Sequence, residues 1–398
     1  MHGTSDAFVF VPVKCPICSR DSRQRYVKSK LYTPKEVEGD QHVVSYTWES
    51  PQYEGIRPAF YHIWHCPHCH FCDEKEVFRG EDACGGKLEM IREKILIATK
   101  APRSLVNRLG RVIEVTDEQL PLETALCIHL LGIHLQELLS TNMRQYGKLA
   151  RLYLRTAWLY REKQAWNLPE RQVPAGFASY GGFLESLRTE WPEIPLAEEK
   201  AIEIAIASYQ HELEHSKRID DIRFELNTLF LLADLQQRRG HLEEALTCVR
   251  HIFQQATRRR QNARQALDTA VSQGKGTQQQ IESLRSLVSW LTNAIERDTT
   301  LAEGLNNRIF EQEYPRAREA VLQLGAVTAD EVSKRLHELK YHEITCRRIT
   351  AMFGQKNLQQ SLGEAQKAEA SVAAPERKDR GFWGSVLKSI IGNTEESP

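Results

Sequence analysis

The sequence predicts a mainly α protein, a tetratricopeptide-like helical repeat domain preceded by a small β-rich, zinc-ribbon-like module. Two Cys-Pro-x-Cys pairs, a run of amphipathic segments beginning at residue 87, and one helix-turn-helix with small residues at repeat spacing predict it.

A chain of 398 residues is too long for one ordinary core and implies two or three units. Its 53 basic side chains balance 53 acidic ones, which removes the global field that would draw nucleic acid or an anionic membrane. The start, MHGTSDAFVFVPVK, lacks a basic stretch followed by a long apolar one, and no segment approaches about 18 uninterrupted apolar residues. Export and a transmembrane segment are therefore not expected. Nine cysteines, most of them between residues 15 and 84, fit a reducing cytoplasm and a local metal site better than a disulfide framework.

Residues 1–86 hold short β-type runs, VVSYTW at 43–48 and AFYHIW at 59–64, broken by Pro, Gly and charge. From 87 to 353 the apolar period becomes helical. KLEMIREKILIATK ends before Pro102, and further helices are expected at 122–139, 146–166 and 197–216. The stretch 167–196, dense in Gly and Pro, reads as an insertion. Residues 222–256 carry Leu232, Ala233, Gly240, Ala245 and Val249 at the spacing of a tetratricopeptide hairpin. Ala157, Tyr160, Ala201 and Ala205 echo it across the insertion; a generic helical bundle is the alternative. A long helical hairpin at about 250–310 splits near Gly274 and Gly276. Its second helix presents Ile281, Leu284, Val288, Leu291 and Ile295, the seam of an intramolecular pair in preference to a dimer. Whether the chain forms a homo-oligomer is left open.

Residues 354–398 read as a disordered linker ending in a short amphipathic helix. Its stripe, Phe382, Trp383, Val386, Leu387, Ile390 and Ile391, suits docking to a partner, a peripheral membrane contact or a return to its own domain.

CPIC and CPHC supply four thiolates, Cys15, Cys18, Cys66 and Cys69, the donor set of a closed structural zinc site. The intervening residues 19–65 outrun a compact finger, so a β-hairpin is expected between the pairs. HCPHCHFC adds His70 and Cys72 as further candidate ligands. CPHC also resembles a thiol oxidoreductase centre, but no amphipathic helix follows it.

Two other motifs compete with this site. His211, Glu212 and His215 spell HExxH, which on one helix face can hold zinc and a general base. Here the pair is expected to face away from the core. Arg250, Arg258, Arg259, Arg260 and Arg264 form a basic run without interleaved aromatics, which reads as a solvated helix end.

CPIC, RPAFYHIWHCPHCHF at 57–71 and YGKLARLYLRTAWLYRE at 146–162 together resemble the bacterial domain-of-unknown-function family numbered 2225, over residues 8 to 250. The resemblance implies a cytoplasmic bacterial protein whose presumed metal ligands are Cys15, Cys18, Cys66 and Cys69. It leads one to expect Gly at position 70 and a small residue such as Ala at 72, so His70 and Cys72 leave an altered or additional metal site open. The expected function is a non-enzymatic, zinc-stabilised scaffold or adaptor that binds a protein or peptide partner. The alternatives are a zinc-dependent hydrolase using HELEH, and nucleic-acid binding by the ribbon and the arginine run.

Overall fold

The computed structural model describes residues 4–80, 86–114, 119–168, 170, 173–215, 221–272, 277–324 and 328–355. It divides into two compact units, Met1–Asp220 and Asp221–Pro398, so the module boundary expected at 86/87 falls inside the first.

The first unit opens with three antiparallel hairpins: β1 (Phe8–Lys14) with β2 (Asp21–Val27), β3 (Tyr32–Val37) with β4 (Val43–Trp48), and β5 (Ile63–His65) with β6 (Cys72–Glu74). The middle one is the hairpin expected between the Cys pairs. The run at 59–64 becomes a strand only at its end. Pro58–Tyr61 forms a 3-10 turn instead, since Pro58 fixes φ and lacks the N–H a ladder needs. Phe60 and Tyr61 are buried all the same, and Tyr61 packs its ring 5.0 Å from that of Phe8.

A short α1 (Lys75–Arg79) stops at Gly80, whose φ of 73° is cheap only for glycine. Then come α2 (Gly86–Lys100), α3 (Leu105–Gly110), α4 (Leu122–Glu137), α5 (Tyr146–Ala165), α6 (Tyr180–Ser186) and α7 (Glu198–His215). The expected insertion therefore contains a helix, capped by Ser179 through the Gly182 N–H. Buried on nearly every side, α4 lies against α3, α5 and the β5–β6 hairpin. α5 packs on α7, with Ala157, Ala201 and Ala205 all fully buried.

The second unit begins with α8 (Ile222–Arg238), whose first turn is capped by Asp221 accepting from the Arg223 and Phe224 N–H groups. Gly240, at φ 76°, turns the chain into α9 (Leu242–Ser272). Ala233, Ala245 and Val249 are buried where these two helices meet, at the positions the repeat spacing marked. α10 (Gln278–Leu322) starts with a capping box between Thr277 and Gln280 and runs 45 residues, about 68 Å. It pairs with α9 along a seam in which Leu291 is fully buried and Ile281, Leu284, Val288 and Ile295 are half-buried. The seam is thus made within the chain. α11 (Ala329–Glu338) and α12 (Glu343–Gln355) close a second apolar cluster of Val321, Val332, Leu336, Cys346 and Ile349. No helix among the described residues is long and apolar enough to cross a membrane. The linker expected after 354, and the stripe Phe382, Trp383, Val386, Leu387, Ile390 and Ile391, lie outside the described residues.

Candidate metal centre

Each CPxC pair sits at the tip of a hairpin, between β1 and β2 or between β5 and β6, and the two tips are built alike. Cys15 N–H donates to the Arg20 carbonyl at 2.9 Å, and Ser19 N–H returns to the Cys15 carbonyl at 2.9 Å. Cys66 N–H donates to Phe71 at 2.8 Å, and His70 N–H returns to Cys66 at 2.9 Å. The residue after each second cysteine is left-handed, Ser19 at φ 58° and His70 at φ 57°. That conformation gives a physical reason for a glycine at position 70. His70 occupies it at a cost of roughly 1 kcal/mol in backbone strain.

The knuckles bring Cys15, Cys18, Cys66 and Cys69 together, with all four sulfurs within 4.8 Å of one another. The Sγ atoms of Cys15 and Cys69, and those of Cys18 and Cys66, are 3.6 Å apart. A tetrahedral ion with bonds of about 2.3 Å to sulfur would separate its ligands by about 3.8 Å, so the cluster fits one metal ion. Ile17 N–H also faces the Cys15 sulfur at 3.4 Å. The protonation balance agrees. Bonding to Cys66 pushes Cys15 up to about 12, bonding to Cys15 and Cys66 drives Cys69 higher still, and the Cys66 thiol drops far below its usual range. Crowded sulfurs disfavour several thiolates at once, a repulsion that a bound cation would relieve.

A surrounding shell fixes the two tips. The Gln24 side chain donates to the His65 carbonyl at 2.8 Å and accepts from its N–H at 3.4 Å, while His68 meets the Asp21 carbonyl at 3.1 Å. Thr99 of α2 donates to the Cys69 carbonyl at 2.9 Å.

His70 and Cys72 are not in the converging group. The His70 ring stacks on His65, its Nδ1 3.3 Å from His65 Nε2, and burial pushes His65 down to about 3, so that ring is neutral. A Cβ on Gly110 would lie 2.1 Å from the His70 ring, so α3 passes closely only because it has glycine there. The Cys72 thiol is buried and points to the His70 carbonyl at 3.6 Å.

The ribbon is held on α5 by charge. Buried Asp73 pairs with buried Lys148 at 3.1 Å, and Glu74 takes Arg151 at 2.9 Å and Arg155 at 2.8 Å. At the tip of the middle hairpin, Asp40 meets Arg161 at 2.8 Å and accepts from Trp158 Nε1 at 3.3 Å. Arg161 also binds Glu38 and Glu198, and His42 lies between Glu38 and Glu162. Burial raises Asp73 to about 6 despite Lys148; on Glu74 burial also opposes the charge, but Arg155 and Arg151 outweigh it.

The HELEH residues lie at the end of α7 and do not converge on a site. His211 is half-buried, contrary to the expected outward face, because its ring stacks on Tyr146 at 3.6 Å between centroids. His215 stacks on it in turn and returns its Nδ1 to the His211 carbonyl. Glu212 accepts the Gly147 N–H at 3.1 Å, which makes it a cap for the first turn of α5. Arg250, Arg258, Arg259, Arg260 and Arg264 lie along α9. Arg264 borders a shallow surface with Gln261, Gln265 and Asp268.

Fold and site together define a protein in which two thiol knuckles, able to hold one metal ion, are fixed to a helical body. The model of a family described as an uncharacterized protein conserved in bacteria (DUF2225) matches residues 11–275, and the chain belongs to that family. The match extends past the resemblance read from the sequence, through the whole of α9. No curated protein and no solved structure matches the chain.

Proposed function

We propose that the chain is a cytoplasmic, zinc-stabilised scaffold or adaptor, in which the ribbon braces a tetratricopeptide-like helical body that binds a protein or peptide partner. The four-thiol cluster carries this reading. Bound to one ion, Cys15, Cys18, Cys66 and Cys69 would fill a tetrahedral shell and leave no position for a substrate. All-thiolate donors at this spacing favour zinc among the common metals, with a single iron as the competitor. A structural role is also supported by position, since an ion here would join the tips of two separate hairpins that share no ladder. Small residues at the α8–α9 and α5–α7 contacts support the repeat-like description. Hydrolysis through HELEH loses support because Glu212 and both imidazoles already have structural roles.

Metal analysis tests the first half. One zinc per chain is expected, lost in a Cys15→Ser/Cys66→Ser chain and retained in a His211→Ala/His215→Ala chain; the reverse outcome refutes the assignment. Affinity capture tests the second, comparing the full chain with one ending at Gly354. If neither retains a protein specifically, the adaptor reading falls.

A further inference from the structure

We propose that the thiol cluster is also a peroxide-responsive switch, entered at Cys18 and closed first by a disulfide between Cys18 and Cys66. The proposal rests on the metal-holding reading of the same site. Cys15, Cys66 and Cys69 are buried, at most 1% exposed, whereas Cys18 is half-buried and followed by the exposed Ser19 and Arg20. Cys18 is the least buried of the four residues, which makes it the point of entry for a small oxidant. The sulfur facing it at 3.6 Å belongs to Cys66, on the other hairpin, and the second such pair, Cys15 with Cys69, also joins the two hairpins. Closing either pair to the disulfide distance of about 2.05 Å moves the sulfurs by roughly 1.5 Å.

The chemistry balances with hydrogen peroxide as the oxidant. The Cys18 thiolate attacks one peroxide oxygen, the O–O bond breaks, and hydroxide leaves and takes a proton to become water. The Cys66 thiolate then attacks the Cys18 sulfenic sulfur, forming the S–S bond and expelling a second hydroxide, which is likewise protonated. Two thiols lose two electrons and one peroxide gains them. Two ligands remain, too few for a tetrahedral ion, so metal is released. A second peroxide closes Cys15 onto Cys69. Both bonds join β1–β2 to β5–β6, so the ribbon loses its ion but keeps its hairpins together. Disulfides within a knuckle would leave the hairpins unlinked. Cys72 and Cys127 are buried, engaged with the His70 carbonyl and the Tyr180 hydroxyl, and stay reduced.

The test uses the full chain, with its metal content measured beforehand. A chain without metal refutes the metal reading alone, since the order of disulfides can still be mapped. Limiting hydrogen peroxide is followed by alkylation, peptide mapping of the bonds by mass spectrometry, and chelator detection of released metal. The expected first product is Cys18–Cys66, appearing in step with release. In Cys18→Ser that bond and the fast phase of release are lost. A first bond within either knuckle, release without a disulfide, or unchanged release in Cys18→Ser overturns the proposal. Should Cys18→Ser fail to fold or to hold metal, the order of bonds in the native chain decides alone.

Discussion

Replacing Lys148 with Met should destabilise the first unit by an amount that grows with pH. Lys148 and Asp73 are 4% and 2% exposed, and their 3.1 Å contact is one of the bonds that fasten β6 to α5. Met keeps the length of the lysine stem, so the change removes charge and little packing. Removing one partner of a buried pair costs about 3–5 kcal/mol when the other stays charged. Asp73 need not stay charged. Burial already lifts it from 3.8 to about 6, and losing Lys148 lifts it further. A folded-state value above the unfolded one means that protonation favours the fold. The penalty is therefore small near the acid end, rises as the pH passes the folded value, and then levels off. Urea unfolding of the full metal-loaded chain at about pH 6 and about pH 8.5 measures this, and subtracting the native chain cancels the metal's own pH dependence. The expected loss is under about 2 kcal/mol at the lower pH and about 3–5 at the higher one. Asp73→Asn combined with Lys148→Met should recover most of it. Equal losses at both pH values, or no recovery in the double variant, would refute the assignment of the pair as a buried anchor.

Three other outcomes are expected. Asp298 lies 2% exposed on α10 with Oδ1 unpartnered, and burial raises it to about 7, so its charge opposes folding above that pH and costs nothing below the ordinary carboxylate range. Asp298→Asn should thus stabilise the chain at alkaline pH and flatten its pH profile in urea titrations; an unchanged profile rules this out. Gly110→Ala sets a Cβ against the His70 ring and should cost about 1–3 kcal/mol, most of it regained when His70 is also changed to Gly; additive costs in that double-mutant cycle would contradict the contact. Glu212→Ala removes the cap on α5 and should lower stability by about 0.5–1 kcal/mol while metal content stays the same, and a drop in bound metal would reopen the HELEH site.

The convergence of the four cysteines was legible because two CPxC pairs serve one geometry in almost any fold. The helices were legible because their apolar periods are long; α2, α4, α5 and α7 begin and end within one or two residues of the sequence reading. Short elements were not. Whether AFYHIW becomes strand or 3-10 turn depends on Pro58 and on a burial partner, Phe8, some fifty residues earlier. The place of His211 was missed for the same reason. Its helix gave an outward direction, but Tyr146 belongs to another helix and covers that direction. Nor could the sequence give the unit boundary, because contacts between the ribbon and the helices are side-chain pairs with no local signature.

The polar face of α5 shows how that information was present but unreadable. Lys148, Arg151, Arg155, Trp158 and Arg161 recur in steps of three and four, a charged stripe opposite the apolar one, and by itself such a stripe describes a solvated surface. In the structure it meets Asp73, Glu74 and Asp40, all three on the hairpins, so α5 is enclosed on two sides. The acidic partners lie more than seventy residues away and are spread over two hairpins, where no periodicity links them to a helix. The segment YGKLARLYLRTAWLYRE carries the family resemblance and also supplies this stripe, so the resemblance and the docking of the ribbon coincide in the same residues. If the ribbon served only to hold its ion, one of these pairs would suffice to tether it. Five cationic or indole contacts along 14 residues instead fix its orientation on the helix.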